Sequence, residues 1–247
     1  FAELMNEKAK ELGCVDSHFA NPSGLNDENH YVSAYDMALI TRAAFENPTF
    51  AKSVETTYYK LPPNQKNPEG QGISPGNKLV KKNWPQYYRP DVLGGKTGYT
   101  SIALNTLVNG ARQGDTTLIT VILHSNNTQY EDTSRLLDFG FNNFQSVKIA
   151  DYDQTFSNIG KDLKIADVST AGGESLSIDP DSRVVLPKTA DFSETTTSFD
   201  YEIPSGAPDG TIACVTYSLG DHKVGQAYLT LTDSSQTAAD IPEKLVS

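Results

Sequence analysis

The sequence predicts an α/β (α+β) domain followed by a small all-β sandwich domain. In the first part, segments with helical apolar periodicity alternate with β-prone segments. In the second part, short β-prone runs alternate with turns at the spacing typical of a sandwich. We place the first domain at residues 1–148 and the second at residues 149–233. The polar, Ala-rich residues 234–247 are expected to form a linker or tail.

Two helices are predicted near the start of the chain. Residues 1–13 carry apolar side chains at the helical period and end in a glycine suited to a helix C-cap. Residues 14–33 are rich in Asn, Asp, Ser, Gly and Pro, which predicts a loop. A second helix is predicted over Ala34–Phe45, with Ser33 or a neighbouring residue as its N-cap and Asn47-Pro48 at its end.

β-structure is predicted in the middle of the first domain. Val54–Leu61 is β-prone, and the rest of residues 50–92 is expected to form hairpin and loop structure. The runs Ser101–Asn109 and Thr116–His124 predict two strands joined by a turn. A helix is predicted over Glu131–Phe144, near the end of this domain, where five of the residues after Arg135 are leucine or phenylalanine.

Six short strands are predicted in the second domain. Turn residues such as Gly, Asp and Pro separate them. The predicted strands are Leu163–Val168, Ser175–Ile178, Arg183–Leu186, Ser198–Ile203, Thr211–Leu219 and Gln226–Leu231.

Composition and charge limit the classes of function. The net charge is −11, and most of the excess acid lies after residue 150. No basic stripe runs along the whole sequence, so nucleic acid is not an expected partner. The longest apolar run is too short to cross a bilayer. Cys14 and Cys214 are predicted to be buried free thiols, because they lie in different predicted domains.

The stretch GGKTGYTS, residues 94–101, is the strongest chemical signal in the sequence. Lys96 offers a positive charge and three donors, and Thr97 offers a hydroxyl beside it. On an edge strand, the backbone could pair with an extended peptide while both side chains hold the terminal carboxylate of that peptide. The Tyr99 N–H could then donate to a scissile carbonyl oxygen as charge develops on it. A simple glycine-rich turn is the alternative interpretation.

Other candidate sites are weaker. The four histidines do not have metal-ligand spacing, and no phosphate-loop or dinucleotide fingerprint is present, so we expect no metal and no cofactor. Asp36 at a helix start is interpreted as a structural carboxylate. Trp84, Tyr87 and Tyr88 could stack against a sugar, although packing against the core is the favoured interpretation.

Four blocks in order resemble one enzyme family. They are FAELMNEKAKELG, SHFANPSGLNDENHYVSAYDMALITRAAF, GGKTGYTS and LLDFGFNNF. The chain resembles the serine D-alanyl-D-alanine carboxypeptidases, which are low-molecular-weight penicillin-binding proteins; KTG belongs to their motif set. The resemblance covers about residues 1–145, and residues 151–232 are similar to the C-terminal β domain of the family.

The resemblance implies a penicillin-binding, transpeptidase-like fold and a serine–lysine mechanism. It implies that Lys96 and Thr97 hold the substrate carboxylate and that Gly98 permits close approach. The Tyr99 N–H would belong to the oxyanion hole, and Thr100 would support the strand. The implied substrate is a peptidoglycan stem peptide ending in D-Ala-D-Ala, and β-lactams are implied ligands. The implied location is extracytoplasmic in the bacterial cell envelope, either secreted or attached to the outer face of the cytoplasmic membrane.

Three features depart from the family pattern. No lysine has a serine three positions before it, so the S-x-x-K motif is absent from these 247 residues. Ser125-Asn126-Asn127 has the letters of the S-x-N motif, but it follows KTG, whereas the family motif precedes the helix at which this chain begins. We therefore interpret it as a loop. Gln129 stands near a family arginine that helps to bind carboxylate, and Ala103-Leu104 stands where Ala-Gly is common.

We therefore expect an incomplete catalytic domain, with the nucleophile and base in an upstream segment. A separate piece that stays bound to this chain is one way in which that segment could be supplied. The 247-residue chain alone is expected to be inactive. Two alternatives remain open at this point. One is a β-lactamase-like serine hydrolase, and the other is a non-catalytic cell-wall binding or scaffold protein.

Overall fold

The computed structural model describes residues 1–153, 164–165, 168–169, 175–204 and 207–232. The chain divides into two compact units, Phe1–Asn142 and Asn143–Ser247, which we call the N-terminal and C-terminal units. The predicted functional domains, 1–148 and 149–233 with a tail at 234–247, remain predictions. The tail lies outside the described residues.

Three helices begin the N-terminal unit. They are α1 (Ala2–Glu11), α2 (Ala34–Glu46) and α3 (Pro48–Glu55). Both predicted helices are confirmed, and so is the Ser33 N-cap, whose Oγ accepts a hydrogen bond from the Asp36 N–H at 3.1 Å. Gly13 follows α1 at φ 84°, a left-handed conformation that glycine adopts without steric cost.

The β-prone interpretation of Val54–Leu61 was partly wrong. α3 continues to Glu55, and only Tyr59–Leu61 forms a strand in this stretch. Pro48 does end α2 as predicted, but it also opens α3, where a missing N–H costs nothing. The Asn47 side chain caps this new helix by accepting from the N–H groups of Thr49 and Phe50.

A short hairpin and a three-stranded antiparallel sheet follow. The hairpin consists of β1 (Tyr59–Leu61) and β2 (Gln71–Ile73), and a 3₁₀ helix spans Lys78–Val80. The sheet contains β3 (Val92–Thr100), β4 (Leu104–Gln113) and β5 (Thr116–Ser125), in that order. The last element is α4 (Gln129–Asn143).

The sheet differs in detail from the sequence prediction. The predicted strand over Ser101–Asn109 begins instead at Leu104, because residues 101–103 form the turn between β3 and β4. The predicted β5 is confirmed within one residue at its C-terminal end. The core of the N-terminal unit contains fully buried leucines, among them Leu79, Leu107 and Leu137.

The C-terminal unit is built from strands and forms a β-sandwich-like region, as predicted. Its described strands are β6 (Phe144–Lys148), β7 (Lys164–Ile165), β8 (Val168–Ser169), β9 (Ser175–Ile178), β10 (Arg183–Pro187), β11 (Thr196–Asp200), β12 (Thr211–Leu219) and β13 (His222–Thr232). Half of the predicted strand over residues 163–168 lies outside the described residues. Its described residues belong to β7 and to the start of β8, and these two short strands pair with each other.

One six-stranded sheet organises this unit. Five strands follow the order β11-β12-β13-β10-β6, and β9 also pairs with β13. Its core contains Val184, Leu186, Val215, Tyr217 and Leu229, all almost fully buried. Cys14 and Cys214 are buried free thiols, as predicted. Within the described residues, every helix is too short or too polar to span a membrane.

Candidate functional site

The KTG segment lies on β3, at one edge of the three-stranded sheet. β3 pairs with β4 in antiparallel register, with Lys96 opposite Val108 and Thr97 opposite Leu107. No strand pairs with the other side of β3 among the residues that the structure describes. Alternate backbone N–H and C=O groups of β3 therefore face away from the sheet, available to an extended ligand.

Lys96 is exposed beside this free edge, and Thr97 is half-buried next to it. The Lys96 ammonium donates a hydrogen bond to the Thr97 carbonyl, which keeps the charge close to the strand. Within the described part of the chain, this ammonium forms no ion pair with a carboxylate. The strand thus presents an available cation and a hydroxyl at adjacent positions.

Glycines let other groups approach β3 closely. Gly98 lies opposite Thr106, and a Cβ at this position would lie 2.5 Å from the Thr106 Oγ1. A Cβ on Gly76 would lie 2.9 Å from the Thr97 Oγ1, so the segment before the 3₁₀ helix passes directly against that hydroxyl. At Gly95, a Cβ would lie 1.9 Å from the Val108 carbonyl oxygen.

Thr100 ends β3 and shapes the turn that follows. Its Oγ1 accepts a hydrogen bond from the Ala103 N–H at 2.9 Å. The next residue, Leu104, has φ 54°, a left-handed conformation that glycine favours. The leucine that departs from the family pattern therefore occupies a strained backbone position.

Gln129 is placed differently from Lys96. It is buried at the start of α4, and its Oε1 has no hydrogen-bond partner among the described atoms. The neighbouring Tyr130 hydroxyl donates to the Gly76 carbonyl at 3.3 Å. Since Gly76 lies against Thr97, this bond connects the start of α4 with the KTG segment.

Ser125 has a structural role at the end of β5. Its Oγ accepts a hydrogen bond from the Thr128 N–H at 3.1 Å, and the nearby Asn127 has a left-handed φ of 70°. Asn127 also accepts a hydrogen bond from the Asn105 side chain at 3.1 Å. This turn leads the chain from β5 into α4. Ser125 is the last residue of β5, so its interpretation as a loop residue was wrong by one position, and the interpretation of the S-x-N letters as coincidence stays a prediction.

Sequence reasoning missed a buried polar pair behind the strand. The Asn77 Nδ2 donates to the Asn109 Oδ1 at 2.6 Å, and the Asn77 Oδ1 accepts from the Leu79 N–H at 3.1 Å. The pair joins the 3₁₀ segment to β4 behind β3. The one local signal was an asparagine two residues before the apolar pair Leu79-Val80, which is a position where asparagine can cap a short helix.

A cavity at the end of the KTG strand has a volume of about 780 Å³. Residues 24–32 form one wall, and Thr100 and Thr106 belong to the opposite wall. Tyr99 and Ile102 are exposed nearby, with relative exposures of 68% and 69%. A ligand leaving the end of β3 would therefore meet a partly apolar cavity.

The weaker candidates have structural partners. The His30 Nδ1 accepts a hydrogen bond from the Ala20 N–H at 3.2 Å. Trp84 stacks on Tyr87, and the Lys78 ammonium lies 4.2 Å from the Trp84 ring centroid. No group of three His, Cys, Asp or Glu side chains that could hold a metal ion occurs among the described residues.

The chain is similar in sequence to known proteins. Residues 1–127 match the family described as D-alanyl-D-alanine carboxypeptidase. D-alanyl-D-alanine carboxypeptidase DacF of Bacillus subtilis is 30% identical over 161 residues, which cover 64% of this chain and 39% of that protein. DacC of Escherichia coli is 32% identical over 163 residues, covering 63% of this chain and 37% of that protein. The chain thus spans about two fifths of these curated relatives.

Solved structures show the same similarity. Penicillin binding protein 5 from Haemophilus influenzae superposes with a TM-score of 0.62 at 23% identity, over 94% of this chain and 64% of that chain. This shows a shared fold. A D-alanyl-D-alanine carboxypeptidase from Mycobacterium tuberculosis superposes with a TM-score of 0.51 at 30% identity, over 57% of this chain and 53% of that chain.

Proposed function

Because the chain belongs to the D-alanyl-D-alanine carboxypeptidase family, we propose that it carries the carboxylate-binding strand of a serine-type carboxypeptidase. The whole enzyme removes the terminal D-Ala from peptidoglycan stem peptides through an acyl-serine intermediate and is acylated by penicillin. The observation that supports this most directly is the edge strand β3, which presents Lys96 and Thr97 beside unpaired backbone groups.

The first step is capture of the acidic end of the substrate. The Lys96 ammonium exchanges its bond to the Thr97 carbonyl for a stronger, charge-assisted bond to the terminal carboxylate. The Thr97 hydroxyl donates a second hydrogen bond to the same group. Gln129 adds to anion binding in this proposal only if its buried side chain turns toward the strand.

The second step is alignment of the scissile bond. The stem peptide pairs with the free edge of β3, so its penultimate carbonyl lies near the Tyr99 N–H. That N–H stabilises the oxyanion when a serine attacks the carbonyl carbon. Gly98 leaves room for the peptide backbone, and Thr100 holds the end of the strand through its bond to Ala103.

The proposed setting follows from the substrate. Peptidoglycan stem peptides occur in the bacterial cell envelope, so we propose an extracytoplasmic location, secreted or attached to the outer face of the cytoplasmic membrane. β-Lactams are proposed ligands because they acylate the serine of such enzymes. In this proposal, the nucleophile and the base are not residues of this chain.

Substitution of Lys96 tests the proposal. Lys96→Gln is expected to lower kcat/KM for release of D-Ala from a D-Ala-D-Ala peptide by about 10- to 100-fold, because a charge-assisted hydrogen bond contributes about 1.5–3 kcal/mol. The assay uses the protein at the length in which the cell makes it. Acylation by a fluorescent penicillin gives a second measurement.

Lys66→Gln is the matched control, since Lys66 is an exposed lysine in a loop. The control is expected to retain full activity. Unchanged kcat/KM in Lys96→Gln would refute the carboxylate role. Rapid turnover of a chromogenic cephalosporin, without release of D-Ala from the peptide, would instead support a β-lactamase.

A further inference from the structure

A second cavity lies near the opposite end of β3 and has a volume of about 530 Å³. Its walls come from the end of α3, the residue after β2, the segment after the 3₁₀ helix and the start of β3. Val92, at its edge, precedes Lys96 by four strand residues, or roughly 13 Å. This cavity is therefore separate from the proposed carboxylate site, and the proposed function does not use it.

Most of the residues that line this cavity belong to one segment, residues 56–90, whose charge is opposite to that of the whole chain. Residues 56–90 contain five lysines and one arginine but only one acidic residue, whereas the whole chain has a net charge of −11. Two of those lysines, Lys81 and Lys82, line the cavity. Neither ammonium forms an ion pair within the described ranges of the chain.

One wall of the cavity is held rigidly. The Arg89 guanidinium binds both carboxylate oxygens of Asp91, at 3.0 and 2.8 Å, and also donates to Asp138 at 2.7 Å. The Arg89 N–H donates to the Leu79 carbonyl at 2.8 Å. These bonds fix the chain between the 3₁₀ helix and β3, so the lysines project from an ordered frame.

The donors at this site favour phosphate over a planar carboxylate. Carboxylates are best recognised by a free guanidinium fork, and Arg89 already uses its fork on Asp91. Lysine ammonium groups act as point charges, which suit the several oxygens of a phosphate. Ser74, Asn83 and Tyr88 add neutral polar groups to the lining.

We propose that this cavity binds a short phosphate-bearing anion through Lys81 and Lys82. The volume of about 530 Å³ is that of a small-molecule site. A long polyanion is a less suitable ligand, because the part beyond the cavity would lie against a chain that is acidic overall and would be repelled by it. A concave site also suits a discrete group better than the flat surface of a bilayer.

Glu55 gives the proposal an internal check. It lies at the end of α3 and lines the same cavity, where its carboxylate repels an anion. Removing this negative charge should therefore strengthen binding. A cavity that bound a cation or a neutral sugar would show the opposite change or no change.

The single tryptophan of the chain reports on binding, because Trp84 directly follows the lining residue Asn83. Titration with inorganic tripolyphosphate is expected to change its fluorescence to saturation. The Lys81→Gln/Lys82→Gln variant is expected to bind at least about tenfold more weakly, since it loses two charge-assisted contacts. Glu55→Gln is expected to bind severalfold more tightly.

Matched variants distinguish binding in the cavity from a general effect of net charge. Lys60→Gln/Lys66→Gln changes the net charge equally within the same segment but outside the cavity, and it should bind within about twofold of the unaltered protein. Equal weakening in both double variants would overturn the proposal. So would an absence of tripolyphosphate binding, or a Glu55→Gln variant that binds more weakly. Circular dichroism verifies that each variant is folded.

Different ligands identify the chemistry and its source. Citrate, with carboxylates in place of phosphates, is expected to bind at least about tenfold more weakly than tripolyphosphate; equal binding would overturn the preference for phosphate. A glycerol-phosphate oligomer is expected to compete with tripolyphosphate. Tighter, Lys81- and Lys82-dependent binding to a single-stranded oligonucleotide or to anionic lipid vesicles would refute the short-ligand proposal.

Discussion

Gly98 in the KTG segment lies close to a neighbouring side chain within the sheet. Its missing side chain faces the Thr106 Oγ1 across the strand pair, where a Cβ would lie 2.5 Å from that oxygen. The resemblance to the carboxypeptidases explains the same glycine by the approach of substrate. These explanations concern different partners of one residue, so a pair of substitutions can separate them.

Gly98→Ala is expected to lower the free energy of unfolding by about 1–3 kcal/mol, because the added methyl overpacks the contact with Thr106. Thr106→Ala in the same protein should restore most of this loss. Thermal unfolding measures the stability of both variants, and the rate of acylation by penicillin measures the function of the KTG site. If the double variant regains stability but not acylation, Gly98 is also needed for ligand approach; if stability is not regained, Thr106 is not the cause.

At the scale of elements, one carboxylate holds a loop to a helix. Asp36 in the first turn of α2 is fully buried, and it accepts hydrogen bonds from the backbone of Asp16 at 2.8 Å and Val15 at 3.4 Å. The loop that starts there continues to residues 24–32, which line the cavity beside Thr100. Asp36 therefore fixes the base of a loop whose tip lines the candidate site.

The protonation of Asp36 should control the order of this loop. Burial by itself would raise its pKa, but hydrogen bonds from the Ser17 side chain, the Asp16 and Val15 backbone and the Ser33 side chain lower it below the usual value. The stabilisation is therefore complete above the unfolded pKa of about 4 and is lost as the pH falls through the lower folded pKa.

Hydrogen exchange can test this prediction. The Val15 and Asp16 amides are expected to exchange faster as the pH falls below about 4, after correction for the intrinsic exchange rate. Asp36→Asn should make both amides exchange rapidly at neutral pH and raise KM for the stem peptide severalfold, with a smaller effect on kcat. Glu46→Gln, an exposed acidic position at the other end of α2, is the control. Full amide protection in Asp36→Asn would contradict the anchor role.

At the scale of the whole molecule, each compact unit has its own core. Leu137 is fully buried with Leu79 and Leu107 in the N-terminal unit. Leu229 is fully buried with Tyr217 in the C-terminal unit, where the Tyr217 hydroxyl donates to the Asp153 carboxylate at 2.8 Å. Because the two cores have no residue in common, their stabilities can be changed separately.

Leu137→Ala and Leu229→Ala are each expected to destabilise their own unit by about 2–5 kcal/mol, since each leaves a cavity in a packed core. Trp84 lies in the N-terminal unit, so its fluorescence should follow the unfolding of that unit. Leu137→Ala should lower the unfolding midpoint seen by Trp84, whereas Leu229→Ala should change the circular-dichroism transition without moving that midpoint. Equal shifts of the Trp84 midpoint would show that the cores unfold together.

Local signals in the sequence predicted several elements well. Ser33 before an amphipathic run predicted the start of α2, and the cap hydrogen bond is present. The sequence did not predict α3. Pro48 ends one helix and begins another, and composition alone does not distinguish these two roles. Leu104 could not be recognised as a left-handed residue either, because no local pattern indicates that conformation for leucine.

The sequence by itself determined the mixed α and β class, the all-β second part, the two free thiols and the KTG strand with Lys96 beside Thr97. These features depend on periodicity, capping and residue chemistry, which act over a few neighbouring residues. The tertiary structure alone decided that β3 is an edge strand, that Gly98 faces Thr106, that Gln129 is buried and that Lys81 and Lys82 share a cavity with Glu55. Each of these depends on contacts between residues distant in sequence, and such contacts are set by packing and strand register rather than by local pattern.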